Sequence, residues 1–191
     1  SGVRPRPAAP DAAPLPVSSR ILFFEETPSD PRGIQSDGMI IWRLDTVSTP
    51  GQPADRVVRG AMSIPNAKMG GEIVLKRNRN AALPASHTME IIFRPEGDRE
   101  GVREISPIEA RDQETNPGVA LQGAMVPVAT NLFLIGLDRS ESGMARNLES
   151  LRDKRWLAFQ VRFVSGKIGA VLVEKGQTGD RVFREALESW R

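Results

Sequence analysis

Apolar residues along this chain recur mostly at every second position, and in two stretches at every third or fourth. "ILFFEE" (21–26) is a short apolar strand, and "GMIIWRLDTVS" (38–48) alternates, with Ile40, Trp42 and Leu44 on one side and Arg43 and Asp45 on the other. "RVVRGAMSIP" (56–65) keeps Val58, Gly60, Met62 and Ile64 in phase, and "GEIVLKRNR" (71–79) is a strand running into a basic turn. "HTMEIIFRP" follows from His87. "VREISPIEA" (102–110) reads as an irregular edge strand, because Pro107 has no N–H to give a central ladder. Two further apolar runs, 118–129 and 131–138, are separated by a tight turn at Asn131. "WLAFQVRFV" (156–164) and "KIGAVLVEK" (167–175) form a hairpin around a two-residue Ser165-Gly166 loop.

The helical period appears twice. In 140–154, Met144, Leu148 and Leu151 make one apolar stripe, with basic residues in the last turn. In 178–190, Phe183, Leu187 and Trp190 repeat that spacing, with Asp180 near the start. The sum is a strand-dominated α+β fold: an antiparallel sheet or β-sandwich of about nine or ten strands with two helices. The first 20 residues hold five prolines and four alanines, too little apolar surface to offset the entropy of ordering. They are expected to be a disordered linker (1–20) ahead of one globular domain (21–191).

Composition narrows the chemistry. There is no cysteine, which removes disulfides, thiolate metal sites and thiol nucleophiles, and there is a single histidine. The net charge is only +2; the pI near 9.4 reflects how little titrates between the carboxylates and the lysines. It is a weak argument for nucleic acid, and no nucleic-acid partner is expected. No calcium-loop spacing occurs and the thiol and imidazole ligands are missing, so no metal or other cofactor is expected. "GQTGDR" (176–181) follows a strand and opens a helix like a phosphate cradle, but lacks the third glycine and the Lys-Ser/Thr pair. Glu25 and Glu26 are adjacent on a strand and face apart, which does not suit a glycosidase pair.

Two candidate sites remain. A strand over 87–94 places His87, Met89, Ile91 and Phe93 on one face, so the histidine is expected at the edge of the core. The alternative is a hydrolase with His87 as general base. Ser86 is adjacent, but alternation along a strand is expected to turn it away from His87. The basic cluster "KRNRN" (76–80) offers Lys76, Arg77 and Arg79 as candidate binding residues for an anionic group.

The segments "LPASHTMEIIF", "NLFLIGL", "NLESLRDKRW" and "AVLVEKG…VFREALESW" together resemble a group of uncharacterised alphaproteobacterial proteins. The resemblance covers most of 21–191. It implies an N-terminal transmembrane helix, a low-complexity linker and a C-terminal domain on the periplasmic side of the inner membrane, with no activity or catalytic residue attached. With no membrane-length apolar run here, an anchor is expected upstream of Ser1. The functional expectation is a non-catalytic binding or scaffold domain, with an envelope protein as partner.

Overall fold

The computed structural model of the chain describes residues 17–115 and 117–191, so most of the stretch read as linker lies outside it. Twelve strands and two α-helices occur among the described residues. The strands are β1 (Ser19–Thr27), β2 (Asp30–Val47), β3 (Asp55–Ile64), β4 (Met69–Arg77), β5 (His87–Pro95), β6 (Val102–Ile105) and β7 (Glu109–Arg111). They continue with β8 (Val119–Ala120), β9 (Gly123–Ala129), β10 (Leu132–Leu137), β11 (Trp156–Phe163) and β12 (Ile168–Glu174). Helix α1 (Glu141–Asp153) joins β10 to β11, and α2 (Gly176–Ser189) ends the chain.

The count exceeds the expected nine or ten because two predicted strands are each broken in two. Ser106–Ile108 separates β6 from β7, where Pro107 interrupts the ladder, and Leu121–Gln122 separates β8 from β9. β2 also starts earlier than the alternation suggested. Its first half extends the β1–β2 ladder, and Ile34 stands exposed there. β1 begins at Ser19, inside the expected linker, where the Ser19 hydroxyl donates to Lys175 O at 2.8 Å.

All strand pairs are antiparallel and belong to one curled sheet, in the order β8-β7-β11-β12-β1-β2-β3-β4-β5-β10-β9, with β6 also on β11. The two ends of the sheet meet. Asn131, at φ 70°, donates its backbone N–H to Val102 O at 2.8 Å, and its side-chain oxygen accepts from Val102 N at 2.7 Å. Leu121 N donates to Ile108 O on the same seam. A few local bonds thus stand in for a ladder between β6–β7 and β9–β10.

The curl encloses one core. Ile21, Phe23, Ile40, Trp42, Leu75, Met89 and Ile91 point into it from β1 to β5. Strands β11 and β12 add Leu157, Phe159, Phe163 and Val173. Trp42 fits because Gly60 faces it across the ladder: a Cβ there would sit 2.7 Å from the indole ring. Helix α2 lies against this core with Val182, Phe183 and Ala186 fully buried, and the Phe183 ring meets Trp42 edge-on at 5.0 Å. Its last turn is pinned by the Trp190 indole N–H, which donates to Arg56 O.

Three local expectations need correction. The turn between β11 and β12 encloses three residues, Val164 to Gly166, because Phe163 N still donates to Lys167 O, Gly166 N closes a turn on Phe163 O, and Gly166, at φ 93°, forms the bulge. Helix α1 buries Gly143, Asn147, Ser150 and Leu151, while Met144 and Leu148 are half-buried. The stripe is displaced because Asn147 clasps Gln122, accepting from its N–H and donating to its carbonyl. Helix α2 starts at Gly176, and Asp180 caps nothing; it pairs with Lys175 instead.

Candidate functional site

His87 lies on the core face of β5, as alternation predicts, and is 4% exposed. Its ring meets Trp190 with centroids 5.0 Å apart. Burial first, and the Arg77 guanidinium second, pull the imidazole down to about 4, with Asp55 opposing. The expectation about Ser86 is overturned. Ser86 precedes the strand, so alternation does not govern it, and its Oγ lies 3.0 Å from His87 Nδ1. The pair has no third member: His87 Nε2 is buried without a hydrogen-bond partner.

The basic cluster begins beside it: Arg77 is the ladder partner of His87 across β4–β5, while Lys76, one residue back, faces outward. Register places Val57 of β3 opposite Lys76 of β4, and Lys76 opposite Thr88 of β5. Two residues further along, on the same face, Arg59, Val74, Glu90 and Leu134 line up across β3, β4, β5 and β10. The loop after β2 and the loop after β4 rise beside this floor and enclose a groove of about 690 Å³. Lys76, Arg77 and Arg79 all line it, so the structure brings the three candidates together. A position-by-position reading missed the apolar floor beneath them, because it requires four strands in register.

The groove's charges are not equivalent. Asp55 sits between two cations, taking Arg77 Nη2 at 3.2 Å and Arg79 Nε at 3.0 Å. Burial alone pushes its carboxyl up, but the Arg79 and Arg77 hydrogen bonds outweigh that and hold it below the usual range. Arg59 is held by Asp45 and Glu72. Lys76 is exposed and has no ion-pair partner among the described residues. With Glu90 counted, four cations face two carboxylates around the groove. Asn78 fixes the second wall, its Nδ2 donating to the carbonyls of Asn80, Leu83 and Ala85. On the floor, Thr88 is 4% exposed and its hydroxyl is buried without a partner.

Two other stretches carry less chemistry. "GQTGDR" forms the first turns of α2, directly after Lys175, so no loop exists to cradle a phosphate. The depression beside it is edged by Asp112, Glu114, Glu174 and Asp180 together with Arg20 and Arg155, and Arg20 is already paired with Glu114 and Glu174. Glu25 is engaged by Arg99 at 2.8 Å and Lys167 at 3.4 Å. No group of three or more residues suited to hold a metal occurs among the described residues. No described helix is long and apolar enough to cross a membrane.

Fold and groove together define a curled, helix-plugged antiparallel sheet with a basic depression on its outer face. Compared with protein-family models, curated proteins and solved structures, the chain matches none.

Proposed function

We propose that this domain is a binding module that works through the outer-face groove. The observation that carries the reading is the convergence of Lys76, Arg77 and Arg79 on one depression with an apolar floor. Its volume, about 690 Å³, is within the range of small-ligand sites, and a few convergent polar groups over an apolar surface is their usual construction. A two-dimensional amide NMR titration with small carboxylates, phosphates, amines and sugars tests it. Shifts should concentrate at Val57, Val74, Thr88 and Leu134. Shifts scattered over the surface, or none, would remove the site.

A second reading has one specific observation behind it, the 3.0 Å contact between Ser86 Oγ and His87 Nδ1. A hydrolase would use His87 to take the Ser86 proton. Against it stand a buried imidazole pulled down to about 4, a poor base at neutral pH, and an Nε2 with no orienting partner. A fluorophosphonate probe separates the two: labelling at Ser86 supports the hydrolase, and an unlabelled serine supports the binding module.

The periplasmic setting and the envelope partner belong to the same proposal, and their support is the sequence resemblance. The cysteine-free chain makes the setting testable. A cysteine placed at exposed Val164 of the full-length protein should react in cells with a reagent that passes the outer membrane but not the inner. Protection until the inner membrane is lysed would place the domain in the cytoplasm.

A further inference from the structure

We infer that the groove takes an anionic amphiphile, a single carboxylate or phosphate headgroup on a short hydrocarbon body, with Lys76 meeting the headgroup. This rests on the groove being the binding site. Its own support is the way the lining is divided.

The anion side comes first. Arg77 and Arg79 spend their charge partly on Asp55, and Arg59 spends its charge on Asp45 and Glu72. Lys76 stands on the floor between Val57 and Thr88 with no carboxylate directly opposite and no ion pair among the described residues, and Glu90 is the next side chain along the same face of β5. A headgroup placed there gains a charge-assisted hydrogen bond without displacing an existing pair. Beside it, the Thr88 hydroxyl is buried and unpaired, which costs stability unless something bonds to it. A headgroup oxygen would supply that partner once the Thr88 side chain turns into the groove, since as it stands the hydroxyl is closed to a water-sized atom.

The body of the ligand follows from the rest of the lining. Val57, Val74, Leu83 and Leu134 give the groove apolar surface to cover. No aromatic side chain lines it, so nothing is present to stack on a sugar face or a nucleobase. The floor strands β3, β4, β5 and β10 are each paired on both sides, so no free ladder edge is offered to an added peptide strand. Those exclusions favour a compact amphiphile over a glycan, a nucleotide or an extended peptide.

Isothermal titration and amide NMR on the folded domain, below the probes' micelle concentrations, test this with decanoate, decyl phosphate, decyl maltoside, decyltrimethylammonium and inorganic phosphate. The two decyl anions should bind saturably with shifts at Thr88 and Leu134, and the neutral and cationic decyl probes should bind at least tenfold more weakly. The tighter of decanoate and decyl phosphate identifies a fatty carboxylate or a phosphate-headed lipid as the source. Lys76→Gln should weaken the better probe about tenfold, the loss expected for one charged hydrogen bond. Thr88→Val should weaken it about three- to tenfold while raising the melting temperature, because it removes a buried unpaired hydroxyl. A Thr88→Val protein that melts lower would show the hydroxyl to be structural and overturn its role. Inorganic phosphate binding as tightly as decyl phosphate would overturn the amphiphile. Maltoside or ammonium seated in the groove more tightly than the anions would overturn the charge class and leave the groove as a binding site. No probe shifting any groove residue would overturn both.

Discussion

Polar side chains buried far from their own sequence neighbours govern this molecule at the residue scale. Lys175 is fully buried, and its ammonium donates to the carbonyls of Leu151, Arg152 and Lys154 at 2.6, 3.1 and 2.7 Å. It thereby closes the C-terminus of α1, where unpaired carbonyls and the helix dipole favour a cation. Burial pulls this lysine below its usual range, against the pull of Asp180. Lys175→Met should cost about 3–5 kcal/mol in urea unfolding, since three carbonyls lose their donor; a loss under about 1 kcal/mol would contradict that role. Nothing at position 175 announces this, because the acceptors come from another element. His87 was legible as far as its face, since alternation on β5 is a local property. Its contact with Ser86 was not, since alternation stops where the strand starts. The pH consequence follows from the depressed imidazole. Above its unfolded value of 6.5 the side chain is neutral in both states. As pH falls from 6.5 towards about 4, the unfolded chain takes a proton that the folded chain refuses, so stability declines. The loss is on the order of 3 kcal/mol across that window. Arg77 deepens the effect and Asp55 opposes it. Urea curves from pH 7.5 to 3.5 should show the decline in the native protein, with that part absent in His87→Gln. Parallel curves would place the imidazole in water.

Elements behave as their periodicity predicts where they pack on the core, and depart from it where they serve something else. Helix α2 follows the pattern: of the stripe Phe183, Leu187 and Trp190, the first and last are buried and Leu187 is half-buried against the core. Phe183→Ala should cost about 3–5 kcal/mol, the usual range for a large aromatic core truncation, because it also removes the Trp42 contact. A cost below 1 kcal/mol would show that the helix does not hold the core shut. Helix α1 departs from its stripe because Asn147 is turned inward to bond Gln122. The first half of β2 carried no apolar alternation, since small Ser36 and Gly38 stand opposite the core residues Phe23 and Ile21 of β1. Pro107 was read as keeping 102–110 to an edge as one irregular strand; it splits that run into β6 and β7, and sequence could not say that both fragments would stay on β11.

The order of strands and the closure of the sheet are long-range properties, and neither was readable from the chain. β1 pairs with β12, and the seam forms where β6 reaches the turn before β10. Asn131 was legible as a turn residue, but its second task, supplying both a donor and an acceptor to Val102, was not. Asn131→Gly keeps the positive φ and loses the side-chain acceptor. It should cost about 1–3 kcal/mol and speed amide exchange at Val102, while Asn131→Ala should cost more because it adds backbone strain. Equal stability of all three proteins would mean that the seam contributes nothing. The groove is a product of the same closure at larger scale: residues from five strands and two loops meet there, and the basic cluster was its one visible sign. Whether that groove or the buried histidine is the working part of the domain is decided by the decanoate-induced shift in melting temperature, compared in the native protein, His87→Gln and Lys76→Gln. The account predicts that His87→Gln keeps the native shift at pH 7 and that Lys76→Gln loses most of it without a change in its own melting temperature. A shift abolished in His87→Gln and intact in Lys76→Gln would contradict it.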